Sequence, residues 1–158
     1  MDIIYKKGDL LQCEENIIVH GCNRQGVMGS GVAKLIKAKY PSAFDIYYEA
    51  VKSGEHLGSS SFAAQDDGKL IINALTQEYY GRMEGVVYVD YVAIRAVMKD
   101  LNWFAEQVAS EDQPHEGYYL AIAMPKIGAG LGGGSWDIIA HIIEEESTSF
   151  QPVVYTLD

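Results

Sequence analysis

Two glycine-rich stretches hold the residues best suited to chemistry. Gly26 to Gly31, in VHGCNRQGVMGSGVAKLIKAKYP, and Gly128 to Gly133, in MPKIGAGLGGGSW, each follow an apolar run and lead into a helical pattern. Glycine lets the backbone approach a ligand closely, and the free amides of a helix N-terminus point at whatever lies there. Such a junction suits a phosphate group. For either loop alone, the plainer reading is a tight strand-to-helix turn. The pair points further: in open α/β sheets ligands bind beyond the carboxyl ends of the strands, so loops after adjacent strands share one crevice.

Two familiar phosphate motifs do not fit. Gly26 and Gly31 have the spacing of a triphosphate-binding loop, but Val32 and Ala33 stand where its Lys and Ser/Thr belong. Nothing there reaches a terminal phosphate or ligates magnesium. Gly128, Gly130 and Gly133 match GxGxxG, and Asp158 ends the next strand, but the rest of a dinucleotide-binding unit is missing. A lone GxGxxG is weak, and a nicotinamide site is not expected.

The elements that must position these loops are legible from periodicity. DIIYKK reads as a short first strand, and NIIVHGC as a strand buried on both faces. GVAKLIKAKY is an amphipathic helix stopped before Pro41. SAFDIYYEAVKS is a second helix, with Ser42 and Asp45 in capping-box spacing. GKLIINALTQ is a central strand, while Tyr88 and Val89 are a strand end or a loop. Ile94, Val97, Leu101, Phe104 and Val108 recur at helical spacing from Asp90 to about Ser110. EDQPHEG is a polar loop, YYLAIAMP a strand, SWDIIAHIIEEE a helix capped by Ser135, and PVVYTLD a terminal strand. Strands alternating with helices imply an α/β domain with a largely parallel sheet and helices on both faces.

Composition narrows the function classes. The 158 residues suit one domain, 1–158; a chain of this length buries roughly 70% of its unfolded surface and needs no disulfide or metal to fold. Cys13, Cys22 and four scattered histidines show no metal-ligand spacing, so no metal is expected, and free thiols suit a reducing cytoplasm. The first residues do not read as a signal peptide, and no run is long enough to span a membrane. The net charge of −10 argues against a nucleic-acid partner that tracks phosphates. It leaves room for a small anion held by main chain.

Taken in order, the motifs resemble the macro domains, which bind ADP-ribose. Gly8-Asp9-Leu10 looks like the family's early GD pair with its aliphatic follower. VHGCN looks like its strand-end asparagine motif, with His20 in place of the more common Asn and Asn23 kept. GVMGSGVA and MPKIGAGLGGGSW look like its two ligand loops, and VVYTLD like its closing strand. The resemblance implies a three-layer fold around a central mixed, largely parallel sheet. HGCN, YP, MP and VYTL are similar to the branch that hydrolyses ADP-ribose 1''-phosphate. A related branch, which removes ADP-ribose from glutamate side chains, uses a lysine and an aspartate where Gln77 and Gly132 stand here.

The resemblance also implies roles. Asp9, flanked by Gly8 and Leu10, would accept from the adenine amino group; read alone it is a turn aspartate. Asn23 would orient the distal ribose. His20, alone a satisfied core histidine, would handle a proton near neutral pH. Gly29, Ser30 and Gly31 would hold the diphosphate, with Gly21 and Val32 as further ligand-binding residues. Gly128, Ala129, Gly130, Leu131, Gly132 and Gly133 would wrap the distal ribose and its phosphate, with Pro125 and Ile127 as further ligand-binding residues. Asp90 reads first as a helix N-cap and second as a general base. Tyr155 or Trp136 would pack on the adenine. EYYGRMEGVVYVDY reads as a mobile flap or an ordinary loop. The expected activity is metal-independent and cofactor-free removal of the 1''-phosphate. The alternatives are a non-catalytic ADP-ribose reader and a hydrolase acting on ADP-ribosylated protein or O-acetyl-ADP-ribose. A cytoplasmic monomer is expected.

Overall fold

Strand β2, Ile17–Asn23, and strand β4, Leu70–Gln77, form the middle of the sheet because their apolar residues face both ways. They pair in parallel, Ile18 against Ile71 and Val19 against Ile72. The pleat then sends Ile18 and Ile71 to one core and Val19 and Ile72 to the other. The computed structural model describes residues 1–112 and 119–158. With β1 (Ile4–Lys7), β3 (Ser60–Ala64), β5 (Leu120–Met124) and β6 (Phe150–Thr156), these strands make one six-stranded sheet in the order β1-β6-β5-β2-β4-β3. Every pairing is parallel except β3 with β4.

Helices cover both faces, as the alternating pattern requires. Helix α3 (Tyr91–Asp112) and helix α4 (Trp136–Glu146) bury Ile94, Val97, Met98, Leu101, Ile139 and Ile143 against one face. Helices α1 (Gly31–Lys39) and α2 (Pro41–Lys52) bury Ile36 and Ala43 against the other. The result is the three-layer α/β arrangement with a mixed, mostly parallel sheet.

Three local expectations change. The edge strand β3, Ser-Ser-Phe-Ala-Ala, has one large apolar residue and no β-branched one, so the sequence gives no strand signal there. Helix α2 starts earlier than the Ser42 capping box: Pro41 occupies its first turn, Tyr40 caps it without a side-chain bond, and Ser42 Oγ donates to Gln65 Oε1 at 3.0 Å. Pro41 therefore both ends α1 and begins α2, since its fixed φ suits a first helical position. Helix α3 runs to Asp112, past Ser110, and the remainder of the EDQPHEG loop lies outside the described residues. Val89 makes an isolated antiparallel bridge to Gln77. Among the described residues no helix is long and apolar enough to cross a membrane.

Candidate functional site

The ends of β2, β4 and β5 open onto a cleft of ≈ 720 Å³. Both glycine loops line it, because β2 and β5 are neighbours and both run toward it. Of the sequence-predicted residues, Gly21, Asn23, 29–32, Pro125 and 127–132 line this cleft. Gly133 sits just behind them.

Asn23 ends β2 where the register slips: Cys22 opposes Leu75, but Asn23 opposes Gln77. Its side chain is fixed by a complete set of partners on one side. The Oδ1 atom accepts from Gln25 N at 2.9 Å and lies 2.8 Å from the hydroxyl of the fully buried Tyr47. Nδ2 donates to Val27 O at 2.9 Å. One amide hydrogen remains, so Asn23 has a donor to offer a ligand and its acceptor is already occupied.

The first loop ends at Ser30, the N-cap of α1, whose hydroxyl makes no capping bond. The first helical bond is Lys34 N to Ser30 O, at 3.3 Å. The amides of residues 29–33 therefore have no partner among the described residues, and all five residues line the cleft. They form the positive end of the α1 dipole.

The second loop is tied by its own turns, Ala129 N to Lys126 O at 3.0 Å, Gly133 N to Gly130 O at 3.1 Å and Gly134 N to Gly128 O at 2.9 Å. Gly133 has φ 70°, and a Cβ there would meet Val86 O at 2.4 Å. Only glycine fits. The amides of Gly128, Gly130, Leu131 and Gly132 have no partner among the described residues, so a second set of free donors belongs to the same cleft lining. Two amide clusters across one cleft are suited to two negatively charged groups of a single ligand.

His20 does not join them. It is 1% exposed on the α2 face of the sheet, with Nε2 2.7 Å from Asn73 Oδ1. Asn73 Nδ2 donates to Ala43 O and Ser61 Oγ, which leaves its Oδ1 as the acceptor and places the proton on His20 Nε2. Burial pushes the imidazole down to about 4, against a smaller opposing effect of the Asn73 bond. Along β2, His20 and Cys22 fall on the α1–α2 side, and the lining of the cleft does not include His20. The structure thus places His20 in the core beside Asn73, where the plainer of its two readings applies, and outside the cleft lining.

Asp90 also takes the plainer of its two roles. Its Oδ1 accepts from Val92 N at 2.8 Å and Ala93 N at 3.1 Å, capping α3, and it does not line the cleft. Asp9 caps a single 3-10 turn, Leu10–Gln12, by accepting from Leu11 N at 2.9 Å. Gly8, Asp9 and Tyr155 lie at the C-terminal ends of β1 and β6, beyond the cleft lining, and Leu10 is buried. Tyr155 Oη donates to Glu15 Oε1 at 2.5 Å. Trp136 donates to Tyr5 Oη at 3.1 Å instead of facing the cleft.

Sequence reasoning passed over Thr76, Tyr80, Arg82 and Lys126 as lining residues. Lys126 was signalled by its place between Pro125 and Ile127. Thr76 was not: its Oγ1 is buried without a partner beneath Gly21, a position set by the slip between β2 and β4. Gln77 and Gly132 both line the cleft, so the positions that hold a lysine and an aspartate in the related branch are brought together here without those groups. Among the described residues no carboxylate and no imidazole line it. The Cys22 thiol is pushed up by burial and stays neutral. Among the described residues no group of three or more His, Cys, Asp or Glu is placed to hold a metal ion.

A three-layer α/β fold with two amide-rich loops at the carboxyl ends of adjacent parallel strands defines an anion-binding domain of the macro type. The chain belongs to that family: the Macro domain profile matches residues 19–143. It is 31% identical over 141 residues to a DNA ADP-ribosyl glycohydrolase of Mycobacterium tuberculosis, covering 85% of this chain and 36% of that protein. The chain thus spans about a third of that relative's length. It is 26% identical over 150 residues to an ADP-ribose 1''-phosphate phosphatase of Candida albicans, covering 90% and 92% of the two chains. The solved macrodomain of Mycobacterium tuberculosis DarG superposes with a TM-score of 0.76 at 29% identity, covering 97% of this chain and 96% of that one.

Proposed function

We propose that this protein binds ADP-ribose along the strand ends and hydrolyses ADP-ribose 1''-phosphate to ADP-ribose and inorganic phosphate. The observation that carries the reading is the pair of unpartnered amide clusters on residues that line one cleft. The diphosphate rests on the amides of residues 29–33, where the α1 dipole favours it. The distal ribose lies against Asn23, whose remaining amide hydrogen orients a ribose hydroxyl. The 1''-phosphate meets the amides of the second loop, which hold its charge as a preorganised set of donors. A phosphate monoester is a base near neutral pH, so the proton lost by the attacking water goes to the substrate's own phosphate and from there to the departing 1''-oxygen as the bond to phosphorus breaks, giving ADP-ribose and hydrogen phosphate without His20.

A second reading has one observation in its favour. Among the described residues the cleft lining holds no carboxylate and no imidazole, which equally suits a module that binds ADP-ribose without turnover. The mycobacterial relative's name concerns ADP-ribosylated DNA. The net charge of −10 opposes tracking along a duplex, but does not oppose an ADP-ribosyl group presented by a nucleotide. The deciding experiment incubates the purified protein with ADP-ribose 1''-phosphate in chelator and measures released phosphate beside Asn23→Ala. Release that the variant loses supports the phosphatase. Tight ADP-ribose binding with no release selects the reader.

A further inference from the structure

We propose that Arg82 is the specificity-determining residue of the cleft, pairing with a phosphate carried at the distal ribose. The inference rests on the ADP-ribose reading above and names the group that the cleft selects. The chain has three arginines. Arg24 is paired with Glu78 at 2.8 Å, and Arg95 with Glu145 and Glu146 at 2.9 and 2.6 Å. Arg82 lines the cleft and has no acidic partner among the described residues, although acids outnumber bases 22 to 12. Lys126 also lines the cleft and makes no ion pair among the described residues. In so acidic a chain, two free cations on one concave surface mark where an anion is accommodated, because clefts concentrate the field of the charges that line them.

The fold says which end of the ligand Arg82 meets. Residues 78–88 leave the end of β4 and return at Val89, which bridges Gln77. The segment is anchored on the second loop: Tyr88 N and Val89 N both donate to Gly132 O, at 2.8 and 3.0 Å. It is also folded on itself, with Met83 N donating to Tyr88 Oη at 3.2 Å. At Gly81 a Cβ would fall 2.2 Å from that same oxygen, so a larger residue there would displace the Tyr88 ring tip. Arg82 therefore belongs to a segment that leaves β4 and returns to Gly132, on the β4 side of β2, and it shares the cleft lining with Asn23, Gln77 and Gly132. Asp9 and Tyr155, at the proposed adenine end, are on the far side, at the β1–β6 edge. An arginine fork matches phosphate geometry with two parallel bonds, which a neutral acyl or amide substituent would not use.

The test compares two ligands that are not turned over: ADP-ribose, and its 1''-phosphonate analogue, in which carbon replaces the bridging oxygen. Dissociation constants are measured by calorimetry for the wild type, Arg82→Gln and Arg82→Lys. The wild type should favour the phosphonate by about tenfold, the scale of one charge-assisted contact. Arg82→Gln should lose most of that preference, and Arg82→Lys should keep part of it. If ADP-ribose binds but the phosphonate gains nothing, or if the preference survives Arg82→Gln, the arginine assignment is overturned while the ADP-ribose reading stands. If the wild type binds neither ligand, both fall together.

Discussion

His20 gives the sharpest prediction, because burial alone sets its sign. In the folded chain the imidazole is pushed down to about 4, and in the unfolded chain it returns to its ordinary 6.5. Between these values the unfolded state binds a proton that the folded state refuses. Stability is therefore highest above pH 6.5 and is lost as pH falls toward 4. Each unit of difference corresponds to about 1.4 kcal/mol, so the loss is about 3 kcal/mol when complete, with about 2 kcal/mol gone by pH 5. Other groups also titrate in that range, so the measurement is a difference. Urea unfolding of wild type and His20→Gln is followed from pH 7.5 to 4.5. The glutamine is intended to keep a donor for Asn73 Oδ1 without adding a titrating group; a variant that leaves this oxygen unpaired would lose about 1–3 kcal/mol at every pH. The wild type should fall faster than the variant below pH 6.5. Parallel curves would refute the burial argument and reopen a role for His20 at the cleft. The same reasoning expects phosphate release to show no inflection from His20 between pH 5 and 8.

Two further predictions address the loops. Asn23→Ala removes the acceptor for Gln25 N and the donor to Val27 O, and should weaken ADP-ribose binding at least tenfold, read by calorimetry, with about 1–3 kcal/mol lost in urea unfolding. Gly133→Ala forces a Cβ against Val86 O at a φ of 70°, and should lower stability by about 1–3 kcal/mol and reduce affinity together. A Gly133→Ala protein with unchanged melting temperature would show that the second loop is free to relax.

Much of the fold was legible because its signals are local. The helical period of α3, the doubly buried runs of β2 and β4, and Ser135 as the cap of α4 each depend on neighbours within a turn or two. The glycine loops were legible for the same reason: a strand, a cluster of glycines and a helix pattern announce a junction. Strand β3 was missed because it is held by β4, as an antiparallel edge, and carries little β signal of its own.

What the sequence determined by itself is the order of the elements other than β3, the macro family and the two main-chain loops. The tertiary structure decided which face each side chain occupies and which charges stay unpaired. The face of His20 depends on the parity of the β2 pleat relative to α2, and only the packed sheet fixes that. Thr76 lies beneath Gly21 because the register of two strands slips by a residue. Arg82 reaches the cleft because residues 78–88 fold over Tyr88 and tie themselves to Gly132, about fifty residues further along the chain. Such contacts arise between segments distant in sequence, and no local pattern of residue types encodes them.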